Sequence, residues 1–435
     1  PGPDDITRGS VWLVLTATSP TAPCNSHQDS VQVSIIPVVT NNTIAAEQTI
    51  CYNSTPSNLT GSAPSGGNGT FAYLWESSTT SAVSGFSAAS GTNTSQNYNF
   101  PGPLTTTTWY RRIVTSGPCV NTSPAIEINV RPTPTATISG TTTVCQDGTD
   151  PNISFTNPQN IPVTVTYNIN GSGSFTRNVP GNSSRTVSVP TGTAGTYTYN
   201  LVSVRYQDNA PACSAGVTGS ATVTVRPTPT ALISGATTVC QGGPSPLITF
   251  TNPQSIPIRV FYRRNSTNLN INVPANSTAT VSAPTGSAGT ITYTLQSVRY
   301  QDNTPGCLTP VSGSVEVIVR QTPSASISGT ITVCQGDISP YITFSNPRSL
   351  PVIVTYNING VGSFNRIVPA NSSATVPVPT GTAGSYTYNL VSVRYQDDTP
   401  GCPASVSGSA TVTIRPTPTA SISGTTPVCQ NDPSP

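Results

Sequence analysis

The sequence predicts an all-β protein built as a string of small β-sandwiches, one disulfide to each. Three observations predict it. The ten cysteines, Cys24, Cys51, Cys119, Cys145, Cys213, Cys240, Cys307, Cys334, Cys402 and Cys429, alternate between gaps of 67–68 and 26–27 residues, the rhythm of one module copied in tandem. Each copy breaks into short stretches of alternating apolar and polar residues separated by Gly, Pro and Asn. No stretch has helical periodicity, and 35 Gly and 43 Pro leave little room for long helices.

Three near-copies begin at Arg131, Arg226 and Arg320, and a further start falls at Arg415, a period of 94–95 residues. A divergent copy keeps the Cys51–Cys119 spacing. The expected division is the C-terminal part of a cut module at 1–38, a divergent module at 39–130, close copies at 131–225, 226–319 and 320–414, and the start of another at 415–435. The chain reads as an internal segment of a longer secreted protein.

The copy at 131–225 sets out the expected elements. Thr135–Ser139 and Thr143–Cys145 come first, then Ile153–Phe155, closed by Asn157-Pro158. Val163, Val165, Tyr167 and Ile169 alternate with Thr164, Thr166 and Asn168, the pattern of a half-buried strand. Asn170-Gly171 is a hairpin turn. Thr186–Val189, Tyr197–Val204 and Ala221–Val225 complete the module. An aromatic follows the first cysteine by 22–24 residues in every copy, Trp75, Tyr167, Tyr262 and Tyr356, where immunoglobulin-like sandwiches keep their core aromatic. Tyr197 and Tyr386 sit in a tyrosine-corner sequence; Ile291 replaces this tyrosine in the third copy. Tyr199, Tyr293 and Tyr388 are expected in the core.

Composition narrows the function classes. Only 7% of residues are charged, and all 17 basic residues are Arg, so Ser, Thr, Asn and Gln must hydrate the surface. Without Lys the modules cannot be locked by Lys–Asn isopeptide bonds. A net charge of +2 does not suit nucleic acid, whose binders concentrate basic residues. No apolar run is long enough to span a membrane.

Cysteines at such spacing imply a disulfide framework and an oxidising compartment. Pairing within modules joins Cys51 to Cys119, Cys145 to Cys213, Cys240 to Cys307 and Cys334 to Cys402. Pairing across linkers, for example Cys213 to Cys240, is the alternative. A collinear string places those two tens of ångströms apart, beyond the roughly 6 Å between Cα atoms that a bridge needs, which favours the first scheme. The linkers, Arg131-Pro132-Thr133-Pro134-Thr135 and its repeats, favour extended polyproline conformation. Four modules of about 40 Å each would then make a linear rod of roughly 160 Å.

Candidate chemistry is sparse. The single histidine, His27, has no cysteine or carboxylate at metal-ligand spacing. Carboxylates are scattered, and no acidic calcium loop is present. The expectation is a non-enzyme with no cofactor, no metal and no catalytic residue. Thr-rich strands raise ice binding, but these Thr follow ordinary strand alternation. One constellation recurs: Arg205-Tyr206-Gln207-Asp208, Arg299-Tyr300-Gln301-Asp302 and Arg394-Tyr395-Gln396-Asp397. It reads as a turn whose Asp accepts backbone hydrogen bonds while the Arg neutralises it. The other reading is a repeated ligand-contact loop of Arg205, Tyr206, Asp208, Arg299, Tyr300, Asp302, Arg394, Tyr395 and Asp397.

The segments PTPTATISGTTTVCQ, VPTGTAGTYTYNLVSV and GSATVTVRPTPTA resemble the Ig-like or PKD-like repeats of giant Bacteroidota surface proteins, including SprB-type gliding adhesins exported by the type IX secretion system. The resemblance is strong over 131–435 and looser over 39–130. It implies an extracellular filament outside the outer membrane, used for attachment or gliding. The implied partners are a surface or polysaccharide ligand, and anchoring or secretion machinery reached through regions outside this segment. The rival reading is a carbohydrate-binding accessory region of a secreted enzyme. It requires solvent-facing aromatics, for which Tyr206, Tyr300 and Tyr395 are the candidates.

Overall fold

The computed structural model describes residues 2–23, 26–425, 427–428 and 430; Cys24 and Cys429 lie outside the described residues. The chain divides into two compact units, Pro1–Arg226 and Pro227–Pro435. Among the described residues the protein is all-β apart from one short helix, Pro3–Arg8, where the sequence predicts none. Pro at its start and a left-handed Gly9 at its end bound it.

In the first unit, residues 137–226 form a two-layer sandwich. One layer has three strands in the order Thr137–Ser139, Asn152–Asn157, Ser183–Ser188. The other has six: Thr142–Cys145, Ser220–Arg226, Gly195–Tyr206, Val163–Ile169 and Ser172–Val179 in order, with Ser214–Gly216 pairing off Gly195–Tyr206. The chain enters through one layer and crosses to the other at Gly140, whose φ of 116° is a glycine conformation. Thr142–Cys145 then runs parallel to Ser220–Arg226, ending with Cys145 beside Arg226. This is immunoglobulin-like topology. Between the layers lie Ile153, Phe155, Val163, Val165, Tyr167, Tyr199, Leu201 and Val223, all buried.

The local signals account for these elements. Val163, Val165 and Tyr167 are buried and Thr164 and Thr166 are not, as the alternation required. Asn170 and Gly171 both take positive φ, 52° and 77°, and turn the chain into Ser172–Val179, a strand the sequence reading had not delimited. Buried Asn157 closes its strand by donating to the carbonyls of Ile161 and Pro180 and accepting from the Gln159 N–H. The Tyr197 hydroxyl donates to the Thr193 carbonyl at 2.9 Å, the tyrosine-corner bond; Tyr386 does the same with Thr382. Trp75, Tyr167, Tyr262 and Tyr356 are buried, as are Tyr199, Tyr293 and Tyr388.

The divergent part of this unit has a comparable large sheet: Gln48–Cys51, Ile126–Arg131, Thr108–Ser116, Ala72–Ser78 and Ser87–Ala88. Its facing layer is reduced to the pair Ile44–Ala45 and Thr60–Gly61 with a few isolated bridges. Around Trp75 pack Leu59, Tyr98, Tyr110 and Ile128. Arg112 is fully buried in this region. Before it, Ser10–Ala17 and His27–Ser34 form a hairpin that leaves Trp12, Leu13, Val14 and Leu15 exposed.

The second unit contains the same two-layer arrangement twice. The three-stranded layers are Leu232–Ser234, Leu247–Asn252, Ser277–Ser282, and Ser326–Ser328, Tyr341–Asn346, Ser372–Pro377. Each faces a six-stranded sheet built around a long strand, Gly289–Tyr300 in one and Gly384–Tyr395 in the other.

Candidate functional site: the module junction

Strand direction decides where the cysteines sit. Thr142–Cys145 carries Cys145 to the end of its sandwich where the chain leaves at Arg226. Gly195–Tyr206 starts at that same end, Gly195 opposite Val225, and runs away from it. It delivers Cys213, in the following loop, to the end where the chain enters. Twelve residues of strand place the two cysteines of one module about 35 Å apart.

The first cysteine of one module therefore meets the second cysteine of the next. Cys51 bonds Cys213, with Cα atoms 5.5 Å apart. Cys240 bonds Cys402, with Cα atoms 5.4 Å apart. Both bridges span 162 residues. Cys145 and Cys307 are also disulfide-bonded, whereas Cys119 and Cys334 are free thiols. All four within-module pairs expected from the sequence, Cys51–Cys119, Cys145–Cys213, Cys240–Cys307 and Cys334–Cys402, are thus overturned, as is Cys213–Cys240. Close spacing along the chain does not make a module's two cysteines neighbours, because the parallel first strand carries one of them to the far end.

The recurring Arg-Tyr-Gln-Asp sequence surrounds this bridge. Tyr206, Tyr300 and Tyr395 are 0%, 0% and 3% exposed, so they offer no platform to a sugar. Their hydroxyls donate to linker carbonyls: Tyr206 to Pro132 at 3.0 Å, Tyr300 to Pro227 at 3.0 Å and Tyr395 to Gln321 at 2.9 Å. Asp208 accepts two hydrogen bonds from the linker residue Arg131, at 2.7 and 3.0 Å. Arg131 also donates to the Pro211 carbonyl at 2.7 Å and lies 4.5 Å over the Tyr206 ring. In the second unit Arg320 binds both carboxylate oxygens of Asp397, donates to the Pro400 carbonyl at 2.8 Å and lies over Tyr395.

These hydrogen bonds from Arg131 and Arg320 hold the Asp208 and Asp397 carboxyls below the usual carboxylate range. A linker Arg thus neutralises the Asp, rather than the Arg of the motif itself. Arg205 is exposed on the outer face of its strand, opposite Thr164. Arg394 reaches Asp398 at 3.2 Å, and Arg299 lies 5.8 Å from the Phe261 ring. Asp302 is exposed in the corresponding turn.

The linker is pinned along its length. Gln159 donates to the Thr133 carbonyl and accepts from the Thr135 N–H; Gln254 repeats this with Thr228 and Thr230. The Tyr52 N–H donates to the Arg131 carbonyl at 2.9 Å and the Gln241 N–H to the Arg320 carbonyl at 2.8 Å. Cys51 and Cys240 pack against the core of the following module. The arrangement can hold two modules in one orientation. His27 is exposed in the first hairpin. Among the described residues no cluster of three or more His, Cys, Asp or Glu could hold a metal ion, and no helix is long and apolar enough to cross a membrane.

Residues 40–132 match a family described as a domain of unknown function (DUF8696). No curated protein matches the chain. Among solved structures it is similar to a Ca2+-stabilized adhesin that helps an Antarctic bacterium reach out and bind ice, at 16% identity over 87% of this chain and 99% of that one, with a TM-score of 0.34. A 1.5-MDa bacterial ice-binding adhesin, described in connection with host cell surface retention, gives 14% identity over 65% and 99%, with a TM-score of 0.33. The four N-terminal Ig domains of Dscam1 isoform 4.44 give 13% over 87% and 100%, with a TM-score of 0.24.

Proposed function

We propose that this chain is a non-enzymatic stalk segment of an extracellular adhesin, whose modules are locked end to end so that disulfides carry the pull. The staggered bridges support this reading most directly. With Cys51 bonded to Cys213, tension along the chain passes from one sulfur to the other and bypasses residues 52–212. Cys240–Cys402 does the same for residues 241–401. Each bypassed segment would otherwise pay out about 550 Å of extended chain. The Arg–Asp pair and the pinned linker fix the angle at which each force path enters the next sandwich.

The finer reading rests on the repeat resemblance: a filament outside the outer membrane, serving attachment to a surface or polysaccharide or gliding, anchored and exported through other regions. In it, residues 1–38 and 415–435 are parts of further modules of the same kind. Pulling the chain by its ends in single-molecule force spectroscopy tests the mechanical claim. The oxidised chain should release neither hidden segment. After reduction, sandwiches should open in steps of about 300 Å. Full-module steps from the oxidised chain would refute the stalk mechanism.

A further inference from the structure

The fourth sandwich ends in a face that matches one half of the junction. Cys334 stands beside Arg415, as Cys51 stands beside Arg131 and Cys240 beside Arg320. The backbone part is already formed: the Gln335 N–H donates to the Arg415 carbonyl at 2.8 Å, the same bond that Gln241 makes to Arg320. The side-chain part is open. Cys334 is an exposed free thiol, and Arg415 is exposed with no ion pair among the described residues. At Cys51–Arg131 and Cys240–Arg320 the cysteine is bonded and the arginine is clasped by a carboxylate and a proline carbonyl.

We propose that the Cys334–Arg415 face is a docking and cross-linking site for one further module of this kind. The partner must present a loop with the chemistry of Tyr395, Asp397, Pro400 and Cys402: a buried tyrosine hydroxyl, a carboxylate, a free carbonyl and a thiol. Its carboxylate takes the Arg415 guanidinium and brings its thiol to Cys334. The two thiols then form one disulfide, giving up two protons and two electrons to a disulfide oxidant, which leaves as two thiols.

The test extends the chain. Residues 416–435 are replaced by a second copy of residues 321–414 that carries Cys334→Ser, to remove the competing thiol, and Ser407→Thr, as a mass label. The protein is reduced, refolded with oxidised glutathione, alkylated and mapped by mass spectrometry without reduction. Cys334 should appear joined to the labelled second cysteine of the added module and should escape alkylation. Cys51–Cys213 and Cys240–Cys402 in the same sample report correct folding. Their presence with Cys334 still alkylated, or joined to any other cysteine, overturns the proposal. Arg415→Gln should slow formation of the new bridge severalfold while leaving the other two unchanged. Equal rates would overturn the claim that this face recognises the loop.

Discussion

Asp208 and Asp397 each have a fixed electrostatic task. Each is held below the ordinary carboxylate value of 3.8 by hydrogen bonds from a linker arginine. A depressed folded-state value adds stability at neutral pH that disappears as pH falls through it. The junctions should therefore loosen as pH falls below about 4, seen as faster amide exchange in the linkers. Asp208→Asn with Asp397→Asn should exchange faster already at neutral pH and change less on acidification.

Arg112 is a second residue-scale case. Its guanidinium donates to Asn42 Oδ1, the Gln96 carbonyl and the Ser62 carbonyl at 2.8–3.0 Å, and burial lowers its pKa. Gly61 makes room for it: a Cβ there would lie 1.8 Å from Arg112 Nη1. Arg112→Ala should cost at least about 3 kcal/mol by orphaning those acceptors and opening a cavity, measured as a shift in denaturation midpoint. Nothing in the local sequence marks Arg112 as buried, since its three partners come from segments 16–70 residues away.

At the scale of elements, alternation and turn chemistry carried most of the fold. Val163–Ile169 has its expected bounds, with Val163, Val165 and Tyr167 buried and Ile169 only half-buried, because a two-residue period leaves one register that buries the first three. The Asn170 turn was legible for the same local reason, but its anchoring was not. Asn170 donates to the Thr196 carbonyl and accepts from the Thr198 N–H, tying the hairpin to a strand 26–28 residues on. Asn170→Ala combines a strained positive φ with two lost bonds. It should destabilise its sandwich by about 2 kcal/mol, checked by denaturant unfolding against the unaltered chain.

The sequence also showed ten regularly spaced cysteines without revealing their pairing. Spacing along the chain carries no information on which end of a sheet a residue occupies. That depends on Thr142–Cys145 lying parallel to Ser220–Arg226, a long-range contact. The Arg-Tyr-Gln-Asp sequence stood out for its recurrence, but its partner Arg131 lies 77 residues before Asp208. The linker and the loop were each legible; their meeting was not.

At the scale of the whole molecule, modules within each compact unit are joined to each other rather than each being closed on itself. With 7% charged residues, salt has few ion pairs to screen, and disulfides hold these joints covalently. The measurement that tests this most directly is peptide mapping of the oxidised chain, alkylated before digestion and analysed without reduction. The expected result is linked peptides containing Cys51 with Cys213 and Cys240 with Cys402, and alkylated Cys119 and Cys334. Linked peptides joining Cys51 to Cys119 and Cys334 to Cys402 would contradict it.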